Sequence, residues 1–125
     1  MQAAVAAGFG DAETNRKVER AAVRAVTDDY ESKGWHVESV EAARCGYDLV
    51  CRRNRKTEHV EVKGVSGSKV GFILTEGERR KAEDDPLFVL VVVTNALTAP
   101  RFRRFAGRTT LDRMTLAPIS WKVTG

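Results

Sequence analysis

From Thr14 to Lys33 the apolar residues recur at helical spacing, with Val18, Ala22, Val26 and Tyr30 at every fourth position and charges between them. This pattern predicts an opening helix. Gly34 supplies its stop, because glycine enters the left-handed conformation of a helix C-terminus without a Cβ penalty. The period then shortens to two. Trp35–Val40 alternates as a strand, and Tyr47–Arg53 and Thr57–Gly64 read as two more, joined by a polar turn at Asn54-Arg55. A Gly/Ser-rich loop, Gly64 to Gly71, leads to the short apolar segment Phe72-Ile73-Leu74. Thr75-Glu76-Gly77-Glu78 has capping-box spacing and predicts a second helix to about Asp84, ahead of Pro86. Leu87–Val93 is apolar on both parities, as expected of a strand covered on both faces. A basic loop and a last strand from about Thr115 to Val123 complete the pattern, with Pro118 favouring a sheet edge.

The order α-β-β-β-α-β describes an antiparallel meander followed by a helical crossover into a central strand. The expected class is α/β, with a mixed central sheet between helices as a three-layer α/β/α sandwich. A length of 125 residues suits one core. Residues 1–12 are expected to be a flexible N-terminus and residues 13–125 a single domain. No apolar run approaches the ~20 residues of a membrane helix, so no membrane partner is expected. The Ala-rich start lacks the basic region and long apolar core of a secretory signal. Cys45 and Cys51 would stand roughly 20 Å apart on an extended segment, beyond disulfide reach. Free thiols suit a reducing, cytoplasmic setting.

Net charge is +4, and its distribution is uneven. Residues 1–86 hold 15 Lys/Arg and 16 Asp/Glu, whereas residues 87–125 hold 6 and 1. The basic excess gathers in Arg101-Phe102-Arg103-Arg104-Phe105, with a second cluster at Arg52-Arg53-Asn54-Arg55-Lys56. A polyanion partner explains this pattern, and a solubilising surface explains it equally well.

The register of the central hairpin carries the chemistry. A two-residue turn at Asn54-Arg55 pairs Arg53 with Lys56, and a four-residue loop gives the same register. Either places Asp48 opposite Glu61, with like charges ~5 Å apart at Cβ. Tyr47 would face Val62 and Leu49 would face Val60 on the other, core-forming parity. Lys63 lies one diagonal step from Asp48. A divalent cation between the acids turns repulsion into attraction. Mg²⁺, for which Mn²⁺ may substitute, typically takes one or two protein carboxylates and leaves its other positions to water and phosphate. A nearby ammonium stabilises charge developing on phosphorus. The plainer explanation is a solvated ladder in which Lys63 neutralises the acids.

Several ordered phrases add weight. Gly46-Tyr47-Asp48, twelve residues, then Glu61-Val62-Lys63-Gly64 resembles the D-x(n)-E-x-K signature of the PD-(D/E)xK nuclease superfamily. The chain resembles more closely the NO VEIN C-terminal-like domain of helicase- and restriction-associated proteins. That likeness runs from about Asn15 to Thr94 and includes Asn15-Arg16-Lys17-Val18-Glu19-Arg20-Ala21-Ala22, Gly46-Tyr47-Asp48-Leu49, Val60–Gly64 and the Thr75-x-x-Glu78 step. The resemblance implies a restriction-endonuclease-like core, Mg²⁺ held by Asp48 and Glu61, and Lys63 assisting an attacking water in phosphodiester hydrolysis of DNA. The superfamily's usual proline before the aspartate is Tyr47 here. A non-catalytic module of the same fold, binding DNA or RNA, is the alternative. Cutting both strands would call for a homodimer.

Other residues weigh less. Glu19 lines up with Val23, Val26 and Tyr30 and is expected to point towards the sheet; related nucleases often add an acid from the first helix, which makes it a third metal-ligand candidate. Glu78 is explained by the capping box, and His59 reads as a bystander on the acid face opposite Val50. Arg53, Arg55, Lys56, Lys69, Arg101, Arg103 and Arg104 are the candidate nucleic-acid contacts. Phe102 and Phe105 fit core packing better than base stacking. The loop holding Lys69 lacks the G-K-[ST] ending of a nucleotide-binding P-loop.

Overall fold

The computed structural model describes residues 12–69 and 71–106. Helix α1 (Ala12–Ser32) buries Val18, Ala22, Val26 and Tyr30, the stripe read from the spacing. It stops where Gly34 takes φ +89°, and the Gly34 and Trp35 amides donate to the Glu31 and Tyr30 carbonyls. Strands β1 (His36–Ser39), β2 (Leu49–Arg53) and β3 (Lys56–Gly64) follow, with a 3₁₀ turn at Glu41–Ala43 between the first two. Helix α2 (Glu76–Asp84) connects to β4 (Phe88–Thr94), and β5 (Arg101–Ala106) ends the described chain.

The sheet runs β1-β2-β3-β4-β5, antiparallel at every step except the parallel β3–β4 pair. All seven β4 residues are buried, as the double-parity run predicted. The basic segment 101–106, expected as a loop, is strand β5. Without it, a fully buried β4 would expose one row of backbone donors and acceptors, so a pairing partner is required there. The Phe72–Leu74 segment has no regular structure, although Phe72 packs on the core. The predicted 115–123 strand and residues 1–11 of the expected terminus lie outside the described residues, whereas Ala12 opens α1.

Alternation along β4 divides the core. Val89, Val91 and Val93 pack with α1 residues, Leu49, Cys51, Val60 and Val62. Phe88, Leu90 and Val92 pack with Ala82 of α2, Phe105, Tyr47 and Phe72. Successive strand side chains point to opposite faces, so the two helices cover opposite faces of a five-stranded mixed α/β sheet. Gly64 sets the approach of α1: a Cβ there would lie 2.7 Å from the Ala22 Cβ and 3.0 Å from the Val18 carbonyl oxygen. Both cysteines are free thiols. Among the described residues no helix is long and apolar enough to cross a membrane.

Candidate active site

The hairpin keeps the expected register from Arg53↔Lys56 to Leu49↔Val60, then departs from it. The Asp48 amide donates to the Val60 carbonyl at 2.9 Å, and Asp48 Oδ2 accepts from the Val62 amide at 2.9 Å. Asp48 is therefore not the directly paired partner of Glu61. Its short carboxylate replaces a main-chain acceptor where β2 begins, a competition typical of aspartate. The expected Tyr47–Val62 pairing is lost at the same point. Tyr47 turns to the α2 side, where its ring stacks on His59 with centroids 4.3 Å apart, whereas Val62 joins the α1 side.

The Asp48 charge nevertheless acts on Glu61. Glu61 and Lys63 share the β3 face whose neighbours on β4 are Leu90 and Val92, the face under α2. Glu61 is buried to 3% exposure. Burial first, and then the negative charge of Asp48, push its carboxyl up to about 9. Burial also raises Asp48, to about 6, partly offset by the Val62 hydrogen bond. Lys63 Nζ lies 3.3 Å from Glu61 Oε2 and 2.8 Å from Glu78 Oε1. Burial pulls the Lys63 ammonium down, but Glu61 and Glu78 more than reverse this and leave it raised. Glu78 moves the other way: burial raises it, and Lys63 with the Thr75 amide brings it below its ordinary value. The ionised pair is thus Lys63–Glu78, with Glu61 leaning towards its neutral form beside it.

Glu78 is the site residue that sequence reasoning passed over. The capping box forms as predicted, with the Thr75 amide donating to Glu78 Oε1 at 3.0 Å and the Glu78 amide donating to Thr75 Oγ1 at 3.1 Å. The same carboxylate oxygen also meets Lys63, so the cap delivers an acid to the sheet. Gly46 makes this approach possible. Its φ is +95°, and a Cβ there would stand 3.2 Å from the Gly77 carbonyl oxygen in the first turn of α2.

Glu19 does not point towards the sheet: it is exposed, and α1 makes its contact through Val18 and Ala22 on the other sheet face. The periodic register that aligned it with Val23 allowed one face too many. His59 pairs with Asp85, its Nδ1 2.6 Å from Asp85 Oδ2.

The basic candidates separate. Arg104 is bound to Glu58, which also accepts from the Tyr30 hydroxyl at 2.7 Å. Arg53 donates to the Lys33 carbonyl and lies over the Trp35 ring at 4.8 Å. Both hold the fold. Arg55 and Lys56 are exposed at the β2–β3 turn, and Lys69 is exposed after β3. Arg101 and Arg103 are exposed on β5, and the pairings Lys63↔Val92 and Val92↔Arg103 put Arg103 in the cross-strand row of Lys63.

The donor set suits a hard dication. The Asp48 charge raises the proton affinity of buried Glu61, a repulsion that Mg²⁺ relieves, and Mg²⁺ needs no more than one or two protein carboxylates. Among the described residues no group of three or more His, Cys, Asp or Glu is arranged to hold an ion.

Fold and site together define a mixed α/β domain with an acid–lysine cluster on one sheet face. The family model described as "Protein NO VEIN, C-terminal" matches residues 18–105, from α1 through β5, and the chain belongs to that family. Comparison with curated proteins and with solved structures gives no match.

Proposed function

We propose that this domain is a Mg²⁺-dependent nuclease of the PD-(D/E)xK type, with a three-layer, restriction-endonuclease-like core, acting on DNA in a helicase-linked or restriction-associated system of the cytoplasm. The supporting observation is that Glu61 pairs with Lys63 and feels the charge of Asp48, with a buried Glu61 whose own charge is costly unless a cation joins it. Asp48 and Glu61 would hold the ion. When bound, Mg²⁺ supplies Lewis acidity towards a phosphoryl oxygen and lowers the pKa of a coordinated water. The Val62 amide keeps Asp48 oriented. Lys63 offers a positive charge to a phosphate oxygen or to water, and Glu78 fixes where that ammonium stands. Glu19 stands outside this set. Arg103 and Arg101, on the same sheet face, would take neighbouring phosphates.

The experiment is plasmid nicking and oligonucleotide cleavage with Mg²⁺ or Mn²⁺ by the wild type, Asp48→Asn and Lys63→Met. Cleavage by the wild type that falls at least about a hundredfold in both variants supports the reading. A wild type as inert as its variants on single-stranded, double-stranded and branched DNA removes it.

One observation favours the second reading, a non-catalytic nucleic-acid-binding module. Lys63 already bridges Glu61 and Glu78 with raised basicity, a network that holds together with no ion. Such a module retards DNA in gel shifts, with steep salt dependence, and cuts nothing.

A further inference from the structure

Beside the acid–lysine cluster, and lined by none of its members, lies a cleft of about 570 Å³ between α2 and the segment that precedes Asp48. Its wall carries Arg44, Arg80 and Lys81. Arg80 is shared with Glu76 at 3.2 Å. Arg44 and Lys81 have no carboxylate within salt-bridge distance among the described residues; Lys81 stands only over the Tyr47 ring, at 5.9 Å. Arg44 is exposed and takes φ +50° at the end of the 3₁₀ turn.

His59 lines the same cleft, with its Nδ1 committed to Asp85 and one face covered by Tyr47 in a nearly parallel stack. A carboxylate only accepts, so the Nδ1 proton faces Asp85 and the ring orientation is set. Nε2 makes no hydrogen bond among the described residues. Two carboxylates oppose these cations. Asp85 is committed through both oxygens, to His59 and to the Leu87 amide, which leaves Asp84 as the opposing charge.

We propose that this cleft binds a phosphomonoester of nucleotide size. Two unpaired cations arriving from different elements are what a dianionic phosphate needs. The volume lies within the ~300–1,000 Å³ of small-ligand sites and far exceeds a bare anion. A rigid, backed imidazole plane in the wall suits a stacked base. The ligand is a free nucleotide or the 5′-terminal nucleotide of a strand, and the shared chemistry is the terminal phosphate.

The test is calorimetric titration in EDTA, which makes its result independent of any metal at Asp48 and Glu61. The probes are dAMP, deoxyadenosine, and one oligonucleotide with a 5′-phosphate or a 5′-hydroxyl. Binding of dAMP but not deoxyadenosine is expected. Arg44→Gly keeps the left-handed backbone, and Lys81→Met keeps the aliphatic stem beside Gly46; each should weaken dAMP binding about tenfold, with unchanged circular dichroism. A preference for the phosphorylated oligonucleotide over its hydroxyl form places the ligand at a strand end; equal binding of the two, with dAMP bound, makes it a free nucleotide. The proposal is overturned if dAMP binds no better than deoxyadenosine, or if both variants bind dAMP as the wild type does.

Discussion

The ammonium of Lys63 on β3 lies 2.8 Å from the Glu78 carboxylate in the first turn of α2, and this contact ties the helix to the acidic face of the sheet. Both side chains are largely buried, with 18% and 16% exposure. Lys63→Met removes the cation and leaves Glu61 and Glu78 facing each other. Breaking a buried pair by deleting one partner costs about 3–5 kcal/mol, a large share of the ~5–15 kcal/mol that holds a domain. Urea unfolding should show a loss of at least about 2 kcal/mol, since Lys63 keeps some water contact. Adding Glu61→Gln to Lys63→Met should restore part of it. A Lys63→Met protein with an unshifted midpoint would mean the contact contributes nothing.

Thr75→Ala tests whether the helix cap positions the site. Losing an N-cap hydroxyl costs about 1 kcal/mol. If Glu78 is aimed at Lys63 by the capping box, the substitution should also lower any Mg²⁺-dependent cleavage, although Thr75 bonds to Glu78 and not to Asp48 or Glu61. Thr75→Ser should rescue both stability and rate. A Thr75→Ala protein that is destabilised but cleaves at the wild-type rate would confine Thr75 to the helix.

The arginines of β5 should behave differently from one another. Arg103→Ala removes an exposed cation in the row of Lys63, so DNA affinity should fall and the salt slope should shrink by about 1. Arg104→Ala instead breaks the Tyr30–Glu58–Arg104 network and should lower thermal stability. Filter binding across a salt series, read beside melting curves, separates the two. Equal effects of both substitutions on both measurements would refute this division.

Much of this arrangement was legible in local pattern. The Val18–Tyr30 stripe, the Thr75 capping box, the Asn54-Arg55 hairpin register and the buried β4 each follow from spacing alone. What escaped depended on tertiary placement. Glu78 satisfies its local role at the cap, and only the packing of α2 over β3 shows that it also meets Lys63. The Asp85 partner of His59 comes from 26 residues away. The charged alternation of 101–106 reads as a loop until β4 demands a partner for its open edge. Asp48 left its predicted pairing because a side-chain acceptor displaced a main-chain one, a choice that no periodicity records.

Gly64→Ala probes the seating of α1 on the sheet. The added methyl meets the Ala22 Cβ at 2.7 Å and the Val18 backbone at 3.0 Å, neither of which can swing away. The helix must lift, at a cost of about 1–3 kcal/mol. The paired change Gly64→Ala with Ala22→Gly relieves the closest contact and should recover only part of the loss, because the Val18 carbonyl remains. Denaturant midpoints for the two proteins decide this; a Gly64→Ala protein as stable as the wild type would show that the close approach imposes no constraint.

The buried Glu61 gives the metal-free protein an unusual dependence on pH. Its folded carboxyl sits at about 9, above the ordinary 4.5 that applies to the unfolded chain, because burial and the Asp48 charge oppose ionisation. Between these values the folded protein holds a proton that the unfolded chain has released. Stability from this group is therefore complete below about pH 4.5 and drains as pH rises towards 9. Asp48, raised to about 6, acts in the same direction but has finished by then. From pH 6 to 9 in EDTA the unfolding free energy should decline, with a slope of at most ~1.4 kcal/mol per pH unit for one proton. Glu61→Gln has no proton to lose there and should flatten the curve, ending more stable than the wild type at pH 9. Parallel wild-type and Glu61→Gln profiles across that interval would mean that Glu61 is ionised in the folded protein, and the electrostatic case for a cation between it and Asp48 would go with it.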